Sequence, residues 1–283
     1  MRNSDSTQVV RLDVALLERG LTDSRSKAQR LIADGKVSVN GVTVTKASAK
    51  VGGDDVIAAD RGDGYVSRGA YKLVGAFERF ADVGLRSAQG LRCLDIGAST
   101  GGFCDVLLRN DAAQVIALDV GHGQLDPKIA HDDRIIEMSG VNIRDVYAED
   151  LPYRPEMIVS DVSFISLKHI FPVISAILQE GKDAFTLIKP QFECEKQGIG
   201  KSGIVKKTEH KKIVKKVLVF AAESGLEPLE ITNAPIKKGK NIEYVLHLKK
   251  NGATDLQNTI SKARNERILN EIDRILKTDT ENK

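Results

Sequence analysis

Beyond about residue 90 the chain alternates between short apolar runs and longer stretches whose apolar residues return every three or four positions. Side chains repeat every two residues along a strand and every ~3.6 along a helix, so the two patterns separate strands from helices. Strands are predicted over Arg92–Ile96, Gln114–Leu118, Ile135–Met138, Met157–Ser160, Ala184–Ile188, Leu226–Asn233 and Ile242–Leu248. Helices are predicted over Ala70–Phe80, Gly102–Asn110, Leu167–Leu178 and Thr208–Ser224. Such alternation implies βαβ units around a mostly parallel sheet. From about Thr254, residues Leu256, Ile260, Ala263, Ile268, Ile272 and Ile275 recur at helical spacing. That tail is expected to be an amphipathic helix packing on the body, or on a second copy in a homo-oligomer. It is assigned no chemistry.

The N-terminal region has a different rhythm. Leu12, Ala15 and Leu16, then Ala28, Leu31 and Ile32, mark two short helices, the second opened by Ser24 as N-cap. Apolar and polar residues then alternate over Val37–Val44 on both sides of Asn40-Gly41. That pair suits a two-residue hairpin turn, where both positions need positive φ. Arg25, Lys27, Arg30 and Lys36 would crowd one side of this module. The expected organisation is therefore a small module over 1–60, a polar glycine-bearing linker over 61–64, a main domain over 65–250 and the helical tail over 251–283.

Composition narrows the class. A 283-residue chain with 41% hydrophobic and 29% charged residues has room for one catalytic domain plus the small module. Its three cysteines, Cys93, Cys104 and Cys194, form no paired motif, and His122 and His131 are not spaced as ligands, so neither a disulfide frame nor a metal is expected. No signal-peptide core or spanning apolar run is present, and the expected location is the cytoplasm, without a membrane partner. Net charge is only +3, but eight lysines and one acid lie between Lys196 and Lys216, with Lys237, Lys238 and Lys240 beyond. Such clusters can follow a phosphate backbone or simply face solvent.

The predicted strand over Arg92–Ile96 runs into Gly97-Ala98-Ser99-Thr100-Gly101-Gly102 and then a helix. In open α/β sheets ligands bind at the carboxyl ends of strands. The glycine spacing departs from G-x-G-x-x-G, and no Gly-Lys-Ser/Thr follows, which disfavours a pyrophosphate or phosphate cradle. Asp119 ends the next strand, where a carboxylate can accept both ribose hydroxyls of a nucleoside. S-adenosyl-L-methionine fits, with Asp95, Gly97, Ala98, Ser99, Gly101, Gly102, Asp119 and Asn142 as candidate contacts. Asp95 could instead fix the loop, and Asn142 could be a turn residue.

Asp161 and Lys189 follow the fourth and fifth strands, Glu243 lies on the last, and Lys72 opens the helix before the first. Two amines and two carboxylates beside a methyl donor suit removal of a proton from a weakly acidic ribose hydroxyl. Lysine can act as a base once neutral, which arginine cannot. Lys189 is the candidate base, oriented by Asp161; Lys72 would stabilise the alkoxide and Glu243 would position Lys72 or the ribose. The stretch 192–205, with Gly198, Gly200 and Gly203, reads as a mobile loop whose Lys196, Lys201 and Lys206 could touch phosphates. Phe164 could stack on a flipped base or simply pack.

Two family resemblances sharpen these expectations. Arg11-Leu12-Asp13, Gly20-Leu21, Ser24-Arg25, Ala28, Ile32, Gly35, Val37 and Val39-Asn40-Gly41 resemble the S4 RNA-binding module, which implies docking on structured RNA through the basic face. The runs Tyr65–Gly69, Asp95–Phe103, Asp119–Gly121, Asp161–Leu167 and Lys189–Glu193 are similar to the TlyA family, which joins an S4 module to an FtsJ-type methyltransferase domain. The resemblance implies an α/β fold: a Rossmann-like S-adenosylmethionine-dependent methyltransferase domain with a small N-terminal α+β S4 domain. It further implies 2′-O-methylation of cytidines in ribosomal RNA, with Lys72, Asp161, Lys189 and Glu243 as the catalytic tetrad; Arg68 is a further candidate RNA contact. Members are often labelled haemolysins. A membrane-active haemolysin would need a secretion signal, a spanning segment or a basic amphipathic helix, and the tail's polar face is mixed in charge. A non-catalytic RNA-binding or ribosome-assembly factor is the other alternative, against which the complete tetrad speaks.

Overall fold

In the computed structural model Asn40 and Gly41 both take positive φ, 52° and 80°, and close the expected hairpin. The structure describes residues 9–60, 64–81, 87–236, 239–251 and 256–281, except the side chains of 256–261 and 280–281. The linker segment 61–63, the Lys237–Lys238 pair and the side chains of Leu256 and Ile260 lie outside the described residues. The chain divides into two units, Met1–Gly64 and Tyr65–Lys283.

In the first unit β1 (Val10–Arg11) leads into α1 (Leu12–Glu18) and α2 (Arg25–Ala33). β2 (Val37–Val39), β3 (Val42–Thr43), β4 (Lys50–Val51) and β5 (Ile57–Ala59) follow. β3-β2-β5 form one antiparallel sheet, and β1 pairs with β4. Ser24 Oγ accepts from Lys27 N at 3.3 Å and caps α2. Leu12, Leu16, Ala28, Ile32 and Val37 make the core.

The carboxylate of Asp13 is enclosed with them. Asp13 accepts from Arg11 Nε at 2.9 Å, Arg25 Nε at 2.9 Å and Gln29 Nε2 at 2.8 Å, tying α1 to α2. The hydrogen bond from Arg11 leads the effects that hold Asp13 well below the usual carboxylate range, against the cost of burial. A carboxylate depressed on folding adds stability that is complete above its unfolded pKa, near ~3.9, and drains away as pH falls below it. Amide protection factors in α1 and α2 are therefore expected to fall between about pH 4 and pH 2. Asp13→Asn should lose protection already at neutral pH and show a flatter acid response, as hydrogen exchange would report.

The second unit begins with α3 (Ala70–Ala81), β6 (Arg92–Ile96), α4 (Gly102–Arg109), β7 (Gln114–Asp119), α5 (Pro127–Ala130), β8 (Ile135–Ser139) and β9 (Met157–Ser160). It continues through α6 (Phe171–Ile177), β10 (Asp183–Ile188), α7 (Pro190–Glu193), α8 (Lys207–Glu223), β11 (Leu226–Asn233), β12 (Tyr244–Lys250) and α9 (Leu256–Glu281). The seven strands lie in the order β8-β7-β6-β9-β10-β12-β11. The first five are parallel, and β12 runs antiparallel to both neighbours. Both faces are covered, which explains the near-continuous apolar strands. Cys93, Val115, Val159 and Phe185 face Leu73, Phe80 and Leu107, whereas Leu94, Ile116 and Ile158 face Ile174, Val214 and Ile272.

Three segments differ from expectation. The helix predicted over Leu167–Leu178 is a 3-10 turn, Leu167–His169, followed by α6. Pro172 has no amide to donate and belongs in a helix's first turn, so α6 begins afresh beside it. The strand predicted over Ile242–Leu248 begins at Tyr244, leaving Glu243 just ahead of it. The stretch 192–205 is organised by backbone bonds rather than open coil: Ile199 bridges Val205, and Gly200 N donates to Ile204 O at 2.8 Å. Asn241 accepts from Val205 N at 2.8 Å and donates to Gly203 O at 3.2 Å, fastening this hairpin to the segment that carries Glu243. The tail helix α9 buries Ile268, Ile272 and Ile275 within the chain's own core. It draws Lys207 to Asp279 and Lys211 to Asp273, each at 2.6 Å, so part of the basic run is used inside the fold.

Candidate active site

β6 has β7 on one side and β9 on the other, so the chain reverses its direction across the sheet between β6 and β9. A crevice opens at the carboxyl ends of strands where the order reverses. Gly97 follows β6 there with φ 83°, and a Cβ on it would lie 3.3 Å from the Asp161 backbone. Gly102 opens α4, and a Cβ there would lie 2.2 Å from Ser67 Oγ. These two bare backbones let the turns after β6 and β9 and the Tyr65–Gly69 segment converge.

A cleft of about 490 Å³ follows, lined by Gly97, Ser99, Asp119, Asn142, Asp161 and Phe164 among others. A second of about 240 Å³ is lined by Asp95, Ala98, Gly102, Asp161, Ser163 and Lys189 among others. Gly101, singled out for the cofactor, is among the lining residues of neither cleft and abuts Ile129 and Leu125 instead. Asp119 accepts from Ser99 N and Gly121 N, both at 2.8 Å, which fixes its carboxylate in the wall of the larger cleft. Asn142 accepts from Arg144 N at 3.1 Å, so it is a turn-capping residue in the cleft wall. Asp95 is buried, and one of its oxygens accepts from Cys104 N and Sγ, both at 3.1 Å, holding the first turn of α4. Burial pushes its carboxyl up to about 7, against the Cys104 hydrogen bond. Its other oxygen is buried, with no hydrogen-bond partner among the described residues.

The four charged residues form one row. Lys189 Nζ lies 2.7 Å from Asp161 Oδ1, Lys72 Nζ 3.0 Å from Asp161 Oδ2, and Lys72 Nζ 2.8 Å from Glu243 Oε2. Lys189 is 8% exposed and also donates to Ser163 Oγ at 2.6 Å. Burial pulls the Lys72 ammonium down, but Asp161 and Glu243 together outweigh it and leave its pKa raised. Amines and carboxylates thus alternate, and Asp161 bridges the two lysines. Arg68, Lys72, Gln191, Lys240 and Glu243 line a further pocket of about 280 Å³ at the Glu243 end of the row.

The chain's central segment matches a family profile that coincides with this geometry: the FtsJ-like methyltransferase profile covers residues 65–250, and the S4 domain profile covers 10–57. Hemolysin A of Brachyspira hyodysenteriae is 43% identical over 84% of this chain and 99% of its own length. A Mycobacterium tuberculosis protein named 16S/23S rRNA (cytidine-2′-O)-methyltransferase TlyA is 38% identical over 84% of this chain and 89% of its own. The chain belongs to the TlyA family of FtsJ-like methyltransferases. A Streptococcus thermophilus structure described as a hemolysin superposes with a TM-score of 0.69 at 34% identity, covering 98% of this chain and 100% of its own. In this TlyA-family chain the haemolysin label has no counterpart in a membrane span: among the described residues no helix is long and apolar enough to cross a membrane.

Of the residues singled out for RNA, Arg68 lines the pocket beside Lys72, while Lys196, Lys201 and Lys206 are exposed on the 192–206 stretch. In the S4 unit Arg25 and Lys27 are exposed but already pair with Asp13 and Asp23, and Lys36 stands 3.9 Å from Asp60. Phe164 does not pack into the core: it is 90% exposed with φ 63°, its ring 5.0 Å from that of Phe192. Sequence reasoning missed roles for Ser163, Gln191 and Glu193. All three lie inside the runs that carry the family resemblance, but their partners are distant in sequence.

Proposed function

We propose that this methyltransferase modifies a ribose 2′-hydroxyl of ribosomal RNA, at cytidine, using S-adenosylmethionine. The Lys189–Asp161–Lys72–Glu243 row beside the cleft carries the reading. The site suits the cofactor: Gly97 offers bare backbone, Asp119 keeps lone pairs for ribose hydroxyls, and the unpartnered Asp95 oxygen can accept from an amino group. Bound there, S-adenosylmethionine supplies an activated methyl group. Asn142 would stand against the adenine.

The chain's own residues handle the proton and the charge. Lys189 is the proposed base: the lone pair of its Nζ takes the 2′-hydroxyl proton as the ribose oxygen takes the methyl group, and solvent then receives that proton. Lys72, kept cationic by Asp161 and Glu243, steadies the charge that grows on the ribose oxygen. Asp161 holds both amines, and Glu243 positions Lys72 or the ribose. Arg68, Lys196, Lys201 and Lys206, with Arg25, Lys27, Arg30 and Lys36 of the S4 unit, meet phosphates, which positions RNA without reading its sequence. Phe164 holds strained backbone at an exposed position, as expected of a ring that stacks on an unpaired base. The partner is the ribosome or its RNA, and the site of action is the cytoplasm.

Reverse transcription of treated rRNA at limiting nucleotide should show a new stop one position 3′ of a cytidine. An unchanged stop pattern on both subunits would sink the proposal. Gly97→Ala should weaken cofactor binding about tenfold or more, since a side chain must adopt a left-handed backbone against Asp161. Calorimetric titration measures it.

A further inference from the structure

The turns after β9 and β10 are laced together at successive levels. Lys189 meets Asp161 at 2.7 Å and Ser163 at 2.6 Å. The Phe164 and Phe192 rings meet next, at 5.0 Å. Beyond them Glu193 accepts from Ser166 Oγ and from Leu167 N, both at 2.7 Å. Residues 161–167 and 189–193 therefore run side by side, with the charged pair at one end and a second carboxylate at the other.

Glu193 is 5% exposed and lines neither the cofactor cleft nor the pocket beside Lys72. Burying a carboxylate is costly unless its oxygens are hydrogen-bonded, and burial does raise its pKa, against the bonds from Leu167 and Ser166. An apolar side chain would fill the same space more cheaply. It would also leave the buried Leu167 amide without an acceptor. The turn so held contains Phe164 at φ 63°, and strain of that kind persists only where neighbouring contacts over-determine the backbone.

We infer that Glu193 is a positioning residue for methyl transfer: its carboxylate holds segment 161–167 in register with 189–193 and thereby sets the spacing of Asp161, Ser163 and Lys189. The inference rests on the proposed methyltransferase reaction. Small displacements at a reacting centre cost up to about 10²-fold in rate.

The test compares the full chain with Glu193→Ala and Glu193→Gln on ribosomal subunits, measuring kcat, KM for RNA and cofactor affinity by calorimetry. Alanine should lower kcat by about 10- to 100-fold with cofactor affinity within about twofold of wild type. Glutamine should recover most of the rate, since its carbonyl can accept from Leu167 N and its amide can donate to Ser166 Oγ. If the alanine variant does not fold, Ser166→Ala removes one of the two bonds and should lower kcat several-fold, again sparing cofactor affinity. Wild-type kcat in the folded variants, or equal losses of kcat and cofactor affinity, overturns the inference. A wild-type chain that labels no RNA defeats the methyltransferase proposal itself; an active wild type with indifferent variants defeats only the role of Glu193.

Discussion

Lys189→Ala is expected to slow methyl transfer by about 10²- to 10⁴-fold, the usual contribution of a positioned general base. Cofactor affinity and RNA binding should change little, because Lys189 lines the smaller cleft and not the larger one, and the lysines proposed to meet phosphates are other residues, among them those exposed on 192–206. Lys189→Arg should be nearly as slow: guanidinium keeps the charge but does not give up its proton near neutrality. Single-turnover transfer of labelled methyl, with filter binding of RNA in parallel, separates a lost base from lost binding. An arginine variant at near wild-type rate would mean that charge, not proton acceptance, is what the position supplies.

Asp161→Asn should be the second most damaging change. Asp161 is the one carboxylate shared by both amines, at 2.7 and 3.0 Å. Asparagine fills the same space but removes the charge, so Lys72 keeps Glu243 alone and its pKa falls toward the value that burial dictates. A fall in kcat of about 10²- to 10³-fold is expected, comparable to losing one stabilising donor for a developing oxyanion. Stability should drop by about 1–3 kcal/mol, discounted because the three side chains remain 10–20% exposed. Thermal melts and steady-state rates measured together would show whether the loss is confined to chemistry. A variant that melts far earlier and recovers its rate on cooling would assign Asp161 to folding instead.

The sheet was readable because strands covered on both faces are apolar throughout, and the residues that close them, Asp119, Asp161 and Lys189, stand out as charges at the ends of apolar runs. Strand ends facing one crevice account for Asp161 and Lys189 alone; Lys72 on α3 and Glu243 just ahead of the antiparallel β12 were joined to them through the family resemblance. Pairing was another matter. That Asp161 bridges both lysines depends on contacts across 28 and 89 positions of sequence, which no local pattern encodes. Glu193 was visible as one residue of a run, yet its partners Ser166 and Leu167 lie 27 and 26 positions away. Phe164 sits among apolar neighbours, and periodicity does not distinguish a core phenylalanine from one turned outward by a positive φ. The glycines of 198–203 suggested an open loop because backbone hydrogen bonds leave no trace in residue type. Pro172 did carry a signal, and its meaning as the start of α6 emerged only with the 3-10 turn before it.

The most direct measurement is transfer of labelled methyl from S-adenosylmethionine to purified small and large ribosomal subunits, followed by complete alkaline hydrolysis. A ribose 2′-O-methyl group blocks cleavage at its own nucleotide, so the account predicts label in an alkali-resistant dinucleotide headed by methylated cytidine, and none with Lys189→Ala. Label in mononucleotides would place the methyl on a base and contradict the chemistry assigned to the row. No label on either subunit, despite tight and salt-sensitive RNA binding, would contradict the enzyme and leave an RNA-binding assembly factor.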